Sequence, residues 1–330
     1  MSNNKVLIVA PAWIGDLIIS SAFINALKKS NTDLQIDLLI NENLSDIAAL
    51  LPNITNIINS KTTHGKLSLF YRLQLGLELR KNNYSKSYIL TNSLKSAIIP
   101  FVAGIKDRIS YLGEYRYGLV NRIIKKIDRK KGMVNRYLNI LHTEYTTDLQ
   151  PSFDTGDSQK KIEEKYSINT KYIVICPDAE YGPAKKWPAH NWVNLASNLI
   201  PNYQVVFVGL DTSIKNKINS LESTNNIINL IGKTSLKDVV EILSNAECVV
   251  SNDSGLMHLS SAVNTPIVGI YGSSSPRYTP PLCEASRHEI IYKDLDCSPC
   301  FKRSCPLGHT NCLNYITVDT VLSSIEKLTK

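Results

Sequence analysis

Apolar and polar positions along the chain fall into two alternating kinds of block. Val6-Leu7-Ile8-Val9-Ala10 is an unbroken apolar run ending at Pro11, and a 3.6-residue repeat follows from Leu17 to Leu27, closed by Lys28 and Lys29. A short unbroken run marks a strand buried on both faces, and the repeat marks a helix lying on it. The pair recurs as a strand over 34–40, a helix over 43–51, a longer amphipathic helix over 68–81 and a strand over 87–91. From Thr146 to Asn169 the periodicity lapses into a polar stretch that reads as an interdomain connection. Beyond it, strands are predicted over 172–176, 204–209, 226–231, 248–250 and 266–270. Helices are predicted over 190–199, from Ser235, after Asp253 and over 317–328. Strand-helix alternation of this kind predicts parallel sheets covered by helices. With 330 residues to bury, the expectation is two Rossmann-like doubly wound domains, 1–160 and 161–330.

Composition narrows the class. Hydrophobic residues at 43% and charged residues at 20% exclude a disordered or collagen-like chain. The most apolar N-terminal stretch, Val6 to Leu27, is interrupted by Pro11 and Asp16, which argues against a signal peptide. No other apolar run approaches the roughly 20 residues of a membrane span, so a cytosolic setting is expected. Seven cysteines in that reducing setting read as thiols or metal ligands. The net charge of +8 is uneven: residues 1–160 hold 21 Lys and Arg against 13 Asp and Glu, and residues 161–330 hold 16 of each. Much of the excess lies between Arg122 and Arg136, where isoleucines alternate with cations as on an amphipathic helix. An anionic partner or a solvated basic face would each explain it. Nucleic acid is disfavoured, because no zinc-finger, helix-turn-helix or RNP pattern occurs.

In doubly wound sheets ligands bind at the carboxyl ends of strands, so the residues just after each predicted strand are candidate site residues. Four segments qualify. Pro11-Ala12-Trp13-Ile14-Gly15-Asp16 offers a carboxylate that could serve as a general base or as an N-cap. Ser251-Asn252-Asp253-Ser254-Gly255-Leu256-Met257-His258 is a strand-to-helix turn of the type that binds phosphate, or a simple helix cap. Asp178 to Pro188 places Lys185 and Lys186 before a Trp-Pro helix entry, where a lysine could neutralise a leaving diphosphate. Cys297, Cys300, Cys305 and Cys312, spaced C-x2-C-x4-C-x6-C, are either zinc ligands or a cluster of reduced thiols.

Taken together with Thr91-Asn92-Ser93-Leu94-Lys95-Ser96-Ala97 and Gly113-Glu114-Tyr115-Arg116-Tyr117-Gly118, these segments resemble the bacterial lipopolysaccharide heptosyltransferases, nearest to their heptosyltransferase II branch. The resemblance runs nearly end to end. It implies a GT-B fold of two Rossmann-like domains facing across a cleft, an ADP-heptose donor, an inverting reaction and no obligatory metal. The implied acceptor is a heptosylated, Kdo-bearing lipid A. That lipid implies a cytoplasmic enzyme in peripheral contact with the anionic inner leaflet, which suits a basic acceptor-binding half. Asp16 would be the base and Lys185 would stabilise the leaving diphosphate. Donor contacts are expected from Lys186, Gly209, Asp211, Asp253, Ser254, Gly255, Leu256, Met257 and His258, with Asp211 near the ribose. Acceptor contacts are expected from Trp13, Gly15, Asn92, Ser93, Lys95 and Arg116. A related transferase using another nucleotide sugar, a sugar-nucleotide epimerase, or a regulatory protein that kept the fold and lost catalysis are the alternatives.

Overall fold

The apolar run that opens the chain becomes the middle of a sheet. In a computed structural model that describes residues 4–62, 65–153, 155, 158–168, 171–211, 214, 217–218 and 226–330, the first sheet has six strands. These are β1 (Lys5–Val9), β2 (Gln35–Asn41), β3 (Asn56–Ser60), β4 (Lys86–Ile89), β5 (Asp107–Tyr111) and β6 (Arg122–Ile124). All are parallel, in the order β3-β2-β1-β4-β5-β6, and Ile8 of β1 lies opposite Leu38 on one side and Tyr88 on the other. The described helices are α1 (Ile14–Ser30), α2 (Ser45–Ala48), α3 (Leu69–Leu79), α4 (Ile98–Val102) and α5 (Met133–Leu138). Strand order reverses between β1 and β4, and the loops leaving those two strands flank that switch point.

The second sheet repeats the plan. It contains β7 (Tyr172–Cys176), β8 (Gln204–Phe207), β9 (Ile227–Asn229), β10 (Cys248–Asn252), β11 (Ile267–Tyr271) and β12 (His288–Tyr292), all parallel in the order β12-β11-β10-β7-β8-β9. Its described helices are α6 (Gln159–Tyr166), α7 (Ala189–Leu199), α8 (Leu236–Ser244), α9 (Gly255–Ala262), α10 (Asn311–Asn314) and α11 (Val318–Thr329). Every residue of β7, β10 and β11 is buried, which is why these strands read as unbroken apolar runs. Each buried Ile or Val there contributes about 1.5–3 kcal/mol of transfer free energy. Here the switch point lies between β7 and β10. Trp187 and Trp192, edge to face at 4.8 Å, anchor the loop after β7 to α7, and the Trp187 indole N–H donates to the Ile316 carbonyl.

The chain divides into two compact units, Met1–Gln150 and Pro151–Lys330, ten residues earlier than the expected boundary at 160. The reason is local. The Asn25 side chain donates to the carbonyls of Leu149 and Gln150, closing the first unit. The Phe153 N–H donates to the Ala262 carbonyl, and α6 joins α8 through Lys161–Glu241 and Lys165–Asp238 ion pairs. Within the expected connection, Asp154, Gly156, Asp157 and Asn169 lie outside the described residues.

One further expectation is corrected. Residues 122–136 do not form an amphipathic helix: Arg122–Ile124 pairs with β5 as an edge strand, and Gly132, at φ 81°, precedes the short α5. The β-branched Ile123-Ile124 pair favours the strand. Among the described residues no helix is long and apolar enough to cross a membrane.

Candidate functional site

In the second unit, the loop after β7 and the turn after β10 converge on Asp253. Gly182, at φ 150°, lets the backbone turn tightly enough for the Ala184 N–H to donate to the Arg303 carbonyl; a β-carbon at position 182 would lie 2.5 Å from that carbonyl oxygen. The turn delivers Lys185, whose ammonium donates to Asp253 Oδ2 at 2.5 Å and lies 5.2 Å from the centre of the Tyr181 ring. On the other carboxylate oxygen, His258 Nε2 stands at 3.7 Å. Burial by itself would raise the Asp253 pKa, but His258 and Lys185 overcome it and hold the carboxyl down at about 2. Asn252, fully buried, accepts from the Trp187 N–H and donates to the Pro177 carbonyl, locking the two loops together.

Ser254 is the N-cap of α9, but its side chain does not cap. The first N–H groups of the helix and its dipole are therefore available to an anion beside Lys185. Ser254, Gly255 and Leu256 are half-buried there. Met257 departs from the expectation: its side chain is fully buried against Ile267 and Tyr271, so it is core rather than donor contact. His258 is also buried, and its Nδ1 has no hydrogen-bond partner among the described residues.

The strand β8 feeds the same end of the sheet. Lys186 is ion-paired with Asp211, and the Asp178 carboxylate accepts the N–H groups of Leu210 and Asp211. Burial raises the Asp178 pKa despite those two bonds. Gly209 is at φ 153°, and a β-carbon there would run into the Asp178 carboxylate. Sequence reasoning missed the roles of Asp178, Tyr181, Asn252 and Arg303. The available signal was position, since Asp178 and Asn252 stand at the ends of apolar strands, where buried polar groups fix loops.

In the first unit the candidates lie after β1, β4 and β5. Asp16 sits in the first turn of α1, whose N-cap is Trp13, so Asp16 is not the cap; Trp13, Gly15 and Asp16 are all half-buried. Asn92 is exposed, and Ser93 and Lys95 are half-buried. Gly113 packs on the Asn92 carbonyl, and the Leu94 N–H donates to Glu114 at 2.7 Å. Arg116 corrects the expectation of an acceptor contact. Its side chain is 1% exposed and donates to the carbonyls of Ser93 and Tyr111 and the hydroxyls of Ser96 and Ser110, so it clamps the two loops together. Burial lowers its pKa to about 10, partly offset by Glu114.

For Cys297, Cys300, Cys305 and Cys312 the alternatives are zinc ligands and a cluster of reduced thiols. Among the described residues no group of three or more His, Cys, Asp or Glu side chains is arranged to hold a metal ion. The four cysteines and His309 line a cavity of about 20 Å³ beside Ala184 and Ser273. The Cys305 sulfur accepts backbone N–H groups, Thr310 foremost, which lowers its pKa, whereas burial and then the neighbouring thiols raise that of Cys312.

Comparison with known proteins identifies the family. The family model of glycosyltransferase family 9 (heptosyltransferase) matches residues 72–311. Lipopolysaccharide heptosyltransferase 2 of Escherichia coli K12 is 34% identical over 303 residues, covering 86% of this chain and 87% of that protein. Lipooligosaccharide heptosyltransferase 2 of Haemophilus ducreyi is 33% identical over 348 residues, covering 98% and 99%. The solved structure of the E. coli ADP-heptose lipopolysaccharide heptosyltransferase II superimposes with a TM-score of 0.85 at 31% identity, covering 98% of each chain. The chain is thus an α/β protein of GT-B type and belongs to glycosyltransferase family 9, the heptosyltransferases.

Proposed function

We propose that this glycosyltransferase moves a heptose from ADP-heptose to the first heptose of a Kdo-lipid A acceptor, inverting the anomeric centre. The observation that carries the reading is the Lys185 ammonium held by Asp253 beside the uncapped N-terminus of α9. A cation, free N–H groups and a helix dipole in one place suit a diphosphate leaving group. The relative named for ADP-heptose, 31% identical over the whole fold, supports the identity of the donor.

The chemistry assigns one task to each candidate. The acceptor hydroxyl oxygen attacks the anomeric carbon, the bond from that carbon to the β-phosphate oxygen breaks, and ADP leaves with the electron pair. Asp16 takes the hydroxyl proton, a contribution of about 10²- to 10⁴-fold. Lys185 and the N–H groups of Ser254, Gly255 and Leu256 meet the charge that grows on the diphosphate. His258 completes the pocket around Asp253. Asp211, set by Asp178 and Lys186, faces the ribose. Trp13, Gly15, Asn92, Ser93 and Lys95 receive the acceptor, and the enzyme works at the cytoplasmic face of the inner membrane in peripheral contact with its lipid.

The test is ADP release from ADP-heptose with and without a monoheptosylated Kdo-lipid A, on the wild type and on Asp16→Asn. The expected result is acceptor-dependent release that falls by roughly a hundredfold or more in the variant. Release without acceptor would point to hydrolysis or epimerisation. Unchanged turnover in Asp16→Asn would remove the base and leave the transfer standing.

A further inference from the structure

Because the first sheet is wholly parallel, the loops that leave β3, β4, β5 and β6 emerge on one edge, the same edge as the loop carrying Asp16. Six large apolar side chains stand exposed there: Leu67, Leu69 and Phe70 after β3, Leu94 after β4, and Tyr115 and Tyr117 after β5. Phe70 and Tyr115 are each 88% exposed. They are set on a fixed rim. The buried Arg72 side chain donates to the carbonyls of Leu67 and Lys95, and the Leu94 N–H donates to Glu114, next to Tyr115. In the same loops, residues 61–62, 65–68, 90–97, 112–118 and 125–132 hold nine Lys and Arg against two Asp and Glu. Among the described residues, no salt bridge engages Lys61, Lys66, Lys95, Lys125, Lys126 or Lys130.

Isolated exposed apolar residues need no explanation, but a run of them interleaved with unpaired cations does. We infer that this edge docks on an anionic lipid bilayer, with the leucines and aromatics entering the interfacial layer and the lysines lying among the lipid head groups. The charge selects this occupant. A second copy meeting through the same edge would bring two such cationic rims together. Three of the six apolar residues are leucines, which offer no stacking face to a nucleic-acid base. The inference rests on the lipid acceptor proposed above for its purpose, and it gives that acceptor a route: a docked edge brings the Asp16 loop to the head-group layer where the acceptor sugar lies.

The experiment is vesicle flotation of the full chain, with phosphatidylcholine alone and with phosphatidylcholine carrying about 30 mol% phosphatidylglycerol. It compares the wild type, the double variant Leu67→Ser/Phe70→Ser and the double variant Lys125→Glu/Lys126→Glu. The expected result is binding to the anionic vesicles only, weakened at least about tenfold in each variant. Turnover on a water-soluble acceptor fragment stays unchanged in both variants. Equal binding to both vesicle types, no binding to either, or wild-type flotation of either variant would overturn the inference. Loss of a dimer instead of vesicle binding in Leu67→Ser/Phe70→Ser would also overturn it, assigning the face to a second copy. Flotation as expected together with no heptosyl transfer by the wild type would sink the proposed function and leave the docking surface standing.

Discussion

Asp253 is a buried carboxylate kept ionised by its neighbours, and that fixes how the second unit responds to acid. Its pKa of about 2 lies below the ordinary carboxylate value of about 3.9. A depressed carboxyl gives stability that is fully present above the unfolded value and is lost as pH falls through the folded one, here between about pH 4 and pH 2. The amount is roughly 2–3 kcal/mol. Asp253→Asn should therefore flatten the fall of melting temperature across that interval, and a variant with the wild-type slope would show that other groups carry it. Lys185→Met removes one partner of the same buried charge and should destabilise by about 3–5 kcal/mol. It should also lower kcat by about 10²- to 10³-fold in the ADP-release assay, beyond what reduced folding explains. The Lys185 and Asp253 positions were legible, because both stand just past apolar strand-like runs. The role of Asn252 was not. Its two bonds reach 65 and 75 residues away, to Trp187 and Pro177, and a partner at that separation exists only once the sheet has formed.

At the scale of elements, the ends of the strands are held by side chains that the hydrophobic pattern does not reveal. Arg116 joins the loops after β4 and β5 through four acceptors, using the planar fork that only a guanidinium offers. Arg116→Lys should fail to restore the clamp, and Arg116→Met should take a charged donor from the Tyr111 carbonyl and from the Ser110 hydroxyl, which keeps its own bond to the Ile89 carbonyl. Either change should destabilise the first unit by about 3 kcal/mol, at roughly 1.5–3 kcal/mol for each lost hydrogen bond to a charged group. Trp13 is the one tryptophan of residues 1–150, so with Trp187 and Trp192 replaced by Phe its fluorescence would report that unit in urea. An unchanged midpoint would assign Arg116 no structural role. Central strands such as β1, β7 and β10 were readable because they are buried on both faces. The strands β3, β5, β6 and β12 were missed. β3, Asn56-Ile57-Ile58-Asn59-Ser60, mixes polar with apolar positions as a sheet edge does, and the charged β6 imitated a helix. α6 was missed within the polar connection because Ile162 is its one buried apolar residue and ion pairs fasten it to α8.

For the whole molecule, charge divides as the fold does. Residues 1–150 hold 20 Lys and Arg against 11 Asp and Glu, whereas residues 151–330 hold 17 against 18. The excess of the first unit lies largely on exposed side chains, where salt screens it: the Debye length falls from about 10 Å at 0.1 M to about 3 Å at 1 M. The main cation of the second unit, Lys185, is 17% exposed and already paired, so it is screened far less. Raising salt should therefore separate the two substrates kinetically. Between about 0.05 M and 0.5 M sodium chloride, the apparent KM for a vesicle-embedded anionic acceptor should rise about tenfold or more, while the KM for ADP-heptose stays within about twofold. A water-soluble acceptor fragment with few charges should lose most of that salt dependence, because it no longer draws on attraction between a basic edge and an anionic surface. Equal salt dependence of both KM values would mean that charge density on the first unit does not steer the acceptor. The asymmetry would then be a matter of solubility, and the encounter with lipid would rest on apolar contact alone.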